Sequence, residues 1–155
     1  MIVIDIPGFR TLNLEHLVLD FNGTLAIDGR LLEGVESRLA ALALELDIHV
    51  VTGNTYGDAR DHLRHCPMEV VCLPAEGQAL AKREYVRRLG PGVAAIGNGR
   101  NDALMLERVA LGIGVLGTEG LATDTLKVAD VVVRHAVDGL ELLLRPKRLI
   151  ATLRS

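Results

Sequence analysis

Tryptophan is absent from this sequence, and two phenylalanines and two tyrosines bring its aromatic content to only 3%. Proteins that hold single-stranded nucleic acid stack bases on aromatic rings along a basic groove. This chain offers neither feature, since 17 Lys and Arg face 20 Asp and Glu for a formal net charge of −3, and no nucleic-acid partner is expected. The basic residues that do cluster, Arg83, Arg87 and Arg88 or Arg145, Lys147 and Arg148, read as solvated helix faces. The two cysteines, Cys66 and Cys72, have neither metal-motif spacing nor the density of a disulfide framework, and are expected as reduced, partly buried thiols. His16, His49, His62, His65 and His135 show no pairing that implies a metal. No apolar run approaches the roughly 20 residues that cross a bilayer, and the start lacks the basic region and cleavage site of a secretory signal. A cytoplasmic protein without a membrane partner is expected.

What is present is 49% hydrophobic residues in 155, enough for one sizeable core, and residues 1–155 are expected to form a single domain. The organising stretch is Leu17-Val18-Leu19-Asp20-Phe21-Asn22-Gly23-Thr24-Leu25, an apolar run that ends in an aspartate and a glycine turn. Such a run reads as a strand buried on both faces of a parallel sheet, with Asp20 delivered at the carboxyl end, where open α/β sheets place their ligands. Asp and Gly also favour turns for local reasons, so Asp20 alone leaves a plain strand-to-loop turn open.

Along the chain, Ile2 to Ile6 and Thr11 to Leu14, separated by Pro7-Gly8, predict a β-hairpin added to a sheet edge. Asp28-Gly29 marks a tight turn, so Leu25 to Leu32 predict a small flap. Val35, Leu39, Leu42, Ala43 and Leu46 recur at helical spacing, and Ile48 to Thr52 read as a second buried strand. A short polar helix follows around Asp58 to His65, then a third strand from Glu69 to Leu73. Ala79 to Leu89 predict a helix with Lys82 near its start, closed by Gly90-Pro91-Gly92. A fourth strand, Val93 to Ile96, runs into Gly97-Asn98-Gly99-Arg100-Asn101-Asp102, and helical spacing resumes from Ala103 to Val109. Leu111 to Val115 and Ala129 to Val133 complete the strands, with a short helix from about Gly120 to Leu126 between them. Asp138 followed by Glu141 predicts a helix start over Leu140 to Leu144, and Pro146 suits the first turn of a last helix reaching Leu153. Alternating strands and helices predict a Rossmann-like, doubly wound parallel α/β sheet with an N-terminal β-hairpin.

In such a sheet, residues that follow different strands converge on one rim. Asp20, Thr52 and the Gly97 to Asp102 loop meet that condition, and Lys82 joins them from a helix start. Phosphoryl transfer needs a nucleophile, a metal to neutralise non-bridging oxygens, and cationic or amide donors to hold the phosphate. Asp20 is the candidate nucleophile; the Thr52 hydroxyl, the Gly53 amide and the Lys82 ammonium are candidate phosphate ligands, with Lys82 also holding Asp20 ionised. Mg²⁺ takes an octahedron of oxygens with one or two carboxylates, which Asp20, the Asn22 carbonyl and the Asn98 or Asp102 side chain can supply with waters.

The order of these motifs resembles the haloacid dehalogenase superfamily of Mg²⁺-dependent phosphohydrolases and P-type ATPases, over about residues 15 to 135. Asp20 to Leu25 resembles the first motif, with Asp20 as catalytic nucleophile and Phe21 beside it among the substrate-binding residues. Thr52 resembles the second motif, Lys82 the third and Gly97 to Asp102 the fourth. The fourth, followed by Ala-Leu-Met-Leu, is especially similar to the phosphorylation domain of P-type ATPases, and small soluble P-type-ATPase-like proteins are the group most resembled. The resemblance implies a small phosphorylated substrate or a phosphoprotein, and a Mg²⁺ cofactor at Asp20, Asn22, Asn98 and Asp102. Two departures qualify it. The second aspartate of family phosphatases, which protonates the leaving group, is here Asn22, and an amide does not exchange protons near neutral pH. The aspartate that binds Mg²⁺ in the fourth motif is here Asn98. Weak metal binding and slow turnover follow, best with aryl or acyl phosphates; the alternative is a catalytically weakened phospho-ligand-binding or regulatory module. Residues 26 to 33 and 73 to 81 are too short for a cap domain, so an open site is expected, which leaves room for a homo-oligomer neighbour or a macromolecular substrate to close it.

Overall fold

A computed structural model describes residues 1–53 and 58–155. The chain begins with a hairpin of β1 (Ile2–Ile6) and β2 (Arg10–Leu14), followed by β3 (His16–Asp20) and the short pair β4 (Ala26–Ile27) and β5 (Arg30–Leu31). Then come α1 (Val35–Leu42), β6 (Asp47–Thr52), α2 (Asp58–Leu63), β7 (Glu69–Cys72), α3 (Gln78–Leu89) and β8 (Val93–Gly97). A single 3-10 turn over Arg100–Asp102 leads into α4 (Ala103–Arg108), β9 (Leu111–Val115), α5 (Thr123–Val128), β10 (Val131–Val133), α6 (Ala136–Leu144) and α7 (Pro146–Leu153).

The central sheet has six strands in the order β10-β9-β8-β3-β6-β7, with every pairing parallel. Its middle strands are apolar on both faces because both faces are covered. Leu17 and Leu19 point into one core with Leu39, Leu42, Leu140 and Leu143 of α1 and α6, whereas Val18 points into the other with Val86, Met105 and Leu106 of α3 and α4.

The hairpin forms as expected but does not extend the sheet: it is a separate two-stranded sheet. Only Glu15 separates β2 from β3, and β3 is flanked by β6 and β8, so a one-residue connector cannot carry the hairpin to an outer edge. Instead Ile4, Ile6, Leu12 and Leu14 lay their common apolar face on the larger core. The flap is the β4–β5 pair, turned by Asp28 and Gly29 with φ of 50° and 74°, the left-handed backbone a tight hairpin needs. Helix α6 starts earlier than expected, at Ala136. Asp138 sits in its first turn and accepts the His135 backbone N–H at 3.2 Å, rather than preceding the helix. Helix α5 is shifted toward the C-terminus, to Thr123–Val128. Both cysteines are free, Cys66 buried but Cys72 exposed. Among the described residues, no helix is long and apolar enough to cross a membrane.

Candidate active site

Three strand ends and one helix build the site. Asp20 closes β3, whose neighbours β6 and β8 end in Thr52 and Gly97 on the same rim. Helix α3 brings Lys82 in from its second turn, and the Lys82 side chain is almost completely buried, at 1% exposure. A buried ammonium persists only when paired. Here its Nζ donates to Asp20 Oδ1 at 2.8 Å and to Asp102 Oδ1 at 2.6 Å.

Asp102 is itself fully committed. Its Oδ2 accepts the backbone N–H groups of Asn98, at 3.0 Å, and Gly99, at 2.9 Å, so this carboxylate closes the loop after β8 on itself and on Lys82. Gly97 allows the close approach, because a Cβ there would stand 2.5 Å from Asp102 Cγ. Asp20 Oδ2 accepts from the buried Thr24 hydroxyl at 3.3 Å, and Thr24 Oγ1 also lies 3.2 Å from Asn98 Oδ1. The Asn98 amide donates in turn to the Gly120 carbonyl at 3.0 Å.

Two carboxylates share one ammonium in a nearly dry pocket. Burial, then the charge of Asp102, raise the Asp20 pKa from 3.8 to about 7, against the pull of Lys82 and of the Thr24 hydroxyl. The expectation that Lys82 holds Asp20 ionised is thus met only in direction, since desolvation and the second carboxylate outweigh it. For Lys82, burial favours the neutral amine, but the attraction of Asp20 and Asp102 exceeds it and the pKa is raised. The surplus negative charge and the oxygen donors fit a hard divalent cation at Asp20, with Asn98 Oδ1 on the same side. Among the described residues no three His, Cys, Asp or Glu side chains are placed to hold a metal, so amide, backbone or water oxygens would have to complete the shell of such an ion.

The remaining expected residues are placed as follows. Thr52 is buried and Gly53 half-buried at the end of β6; Asn54, expected to complete that turn, lies outside the described residues. Asn22 is exposed and pairs with Ala26 through an isolated bridge. The Phe21 ring is fully buried and stacks on His62 at 6.3 Å, so any part it takes in binding falls to its backbone. Sequence reading missed Gln78, whose amide lies over Gly53, where a Cβ would overlap it, and whose Oε1 accepts from Asn101 Nδ2 at 2.9 Å. It also missed Glu119, beside Gly23. Neither belongs to a motif.

A second polar cluster lies toward the opposite ends of the strands. His16 Nδ1 and His49 Nε2 are 3.2 Å apart, and His49 Nδ1 is 2.9 Å from the Tyr85 hydroxyl. Adjacent β3 and β6 place the two rings on one face.

The structure resembles 3-deoxy-D-manno-octulosonate 8-phosphate phosphatases. One from Moraxella catarrhalis, solved with magnesium and phosphate ions and a KDO molecule, matches with a TM-score of 0.68 at 18% identity, over 92% of this chain and 94% of that one. The cobalt-bound enzyme from Haemophilus influenzae matches with a TM-score of 0.69 at 12% identity, over 92% and 94%. A zinc-transporting PIB-type ATPase matches with a TM-score of 0.60 at 21% identity, over 79% of this chain and 20% of that one. The fold is therefore that of the haloacid dehalogenase superfamily. No family model matches the chain. It is 48% identical over 62 residues to the uncharacterized protein MJ0073 of Methanocaldococcus jannaschii, covering 40% of this chain and 67% of that protein. It is 41% identical over 39 residues to MJ0072 of the same organism, covering 25% and 89%. The chain belongs to one family with these two archaeal proteins. It is also 35% identical over 75 residues to the phospholipid-transporting ATPase tat-1 of Caenorhabditis elegans, which is 48% of this chain but 7% of that transporter.

Proposed function

We propose that the protein is a Mg²⁺-dependent phosphohydrolase that passes a phosphoryl group through Asp20 and turns over slowly. The observation that carries this reading is the Asp20–Lys82–Asp102 cluster, with Lys82 Nζ 2.8 Å and 2.6 Å from the two carboxylates. A carboxylate oxygen of Asp20 attacks phosphorus, the bond to the leaving oxygen breaks, and water later cleaves the aspartyl phosphate to free inorganic phosphate. Lys82 and the Thr52–Gly53 turn hold the phosphoryl oxygens, and Asp102 keeps Lys82 and the loop after β8 in place. Bound Mg²⁺ would supply charge neutralisation on the non-bridging oxygens, held by Asp20, the Asn22 carbonyl and Asn98. Asp102, with both oxygens taken by internal donors, serves as the clamp and not as a ligand.

The weak point is the leaving group. Asn22 stands where a carboxylic acid would protonate it, so substrates whose leaving oxygen departs as a stable anion, aryl and acyl phosphates, are favoured. The amides at Asn22 and Asn98 also favour a second reading, a phospho-ligand-binding module with no turnover. Turnover of p-nitrophenyl phosphate with Mg²⁺ that disappears in Asp20→Asn supports the enzyme, and Asn22→Asp is expected to raise the rate. Binding of inorganic phosphate without turnover in wild type and in Asn22→Asp supports the module.

A further inference from the structure

The loop from Leu116 to Ala122, between β9 and α5, is fastened to Asn98 from two sides. The Ala122 backbone N–H donates to the Asn98 carbonyl at 2.9 Å, and Asn98 Nδ2 donates to the Gly120 carbonyl at 3.0 Å. Gly117 and Gly120, with φ of 55° and 87°, take left-handed backbone on either side of Glu119 and turn the loop there. Glu119 is exposed, and its carboxylate comes down on the turn that follows Asp20. A Cβ at Gly23 would overlap Glu119 Oε2 and stand 2.9 Å from Asn98 Nδ2. Gly23, in left-handed backbone at φ 79°, leaves the space open.

These contacts give the asparagine a reason. An aspartate at position 98 would set a carboxylate against the Gly120 carbonyl, two acceptors with no proton between them, and the loop would lose its side-chain anchor. The residue that withholds a charge from the loop after β8 is thus the one that holds the loop carrying Glu119. Asp20 Oδ2, Thr24 Oγ1 and Asn98 Oδ1 follow one another at 3.3 and 3.2 Å along this edge, and Glu119 lies at its Asn98 end.

We propose that Glu119 supplies the second carboxylate to the divalent cation at Asp20, replacing the charge that Asn98 lacks, and that Asn98 is a positioning residue for it. The inference rests on the metal-dependent reading above and adds a donor that no sequence motif contains. An ion held by one carboxylate and neutral oxygens is bound weakly, and a second carboxylate is the ordinary means of tightening it.

The test uses Mn²⁺ as the probe, titrated into the full chain and followed by electron paramagnetic resonance of the free ion, with Mg²⁺ as competitor and no substrate present. Asp20→Asn is expected to abolish binding and Glu119→Gln to weaken it at least about tenfold, with unchanged circular dichroism. Adding Asn98→Asp to Glu119→Gln is expected to restore the affinity, because it returns a second carboxylate to the ion. If Glu119→Gln binds Mn²⁺ within about twofold of wild type while Asp20→Asn does not bind, this inference is overturned and the metal-dependent reading stands. If the wild type binds no Mn²⁺, both fall.

Discussion

Replacing Asp20 with asparagine is expected to stabilise the metal-free protein, although it removes half of a buried ion-pair cluster. The Asp20 carboxyl has a pKa of about 7 in the fold against an ordinary 3.8, so folding favours its protonated form. A group of this kind contributes stability that is complete below pH 3.8 and is lost as the pH rises through about 7. The span of roughly three pH units corresponds to about 4 kcal/mol against folding at pH 8, and to less than half of that at pH 5. Asparagine mimics the neutral carboxyl in shape, and its Oδ1 can still accept from Lys82, whose charge Asp102 alone then balances. Asp20→Asn is therefore expected to gain about 2–4 kcal/mol at pH 8 in chelator, on the order of 10 °C in melting temperature, and less than half of that at pH 5. Urea unfolding of both proteins at the two pH values measures this directly. Millimolar Mg²⁺ should then stabilise the wild type and leave the variant unmoved, because only the former has the charge to repay. A variant no more stable than wild type at pH 8, or a gain that does not shrink with pH, would refute the surplus-charge argument.

Lys82→Met should cost about 3–5 kcal/mol at pH 8 by leaving Asp20 and Asp102 facing each other without a cation, and much of that loss should return at acid pH, as unfolding curves would show. Gly97→Ala is expected to destabilise by about 1–3 kcal/mol and to reduce phosphatase activity, because its Cβ would push Asp102 away from the Asn98 and Gly99 amides. His49 works against the trend set by Asp20: burial, then the neighbouring His16, lower its pKa below 6.5, so its contribution is present above pH 6.5 and is lost as the pH falls through the lower folded value. His49→Gln should accordingly flatten the acid side of the stability profile in calorimetry.

The residues that could be read from the sequence share one property: their place on the rim does not depend on which strands are neighbours. Asp20, Thr52 and the Gly97–Asp102 loop each follow a strand, and the ends of parallel strands lie on one rim in any order. What escaped the reading depends on order, register or a loop path. Asp102 has the sequence position of a metal ligand, but nothing in that position records its burial, its two backbone donors or its 2.6 Å contact with Lys82. Glu119 and Gln78 reach the rim through turns whose course no periodicity records. The His16–His49 contact needs both strand order and register: β3 must lie beside β6 with His16 opposite Asp47, so that His49, two residues on, falls diagonally on the same face. A shift of one residue would turn one ring to the other face of the sheet and abolish the cluster, while leaving Asp20 at the rim where its chemistry is proposed.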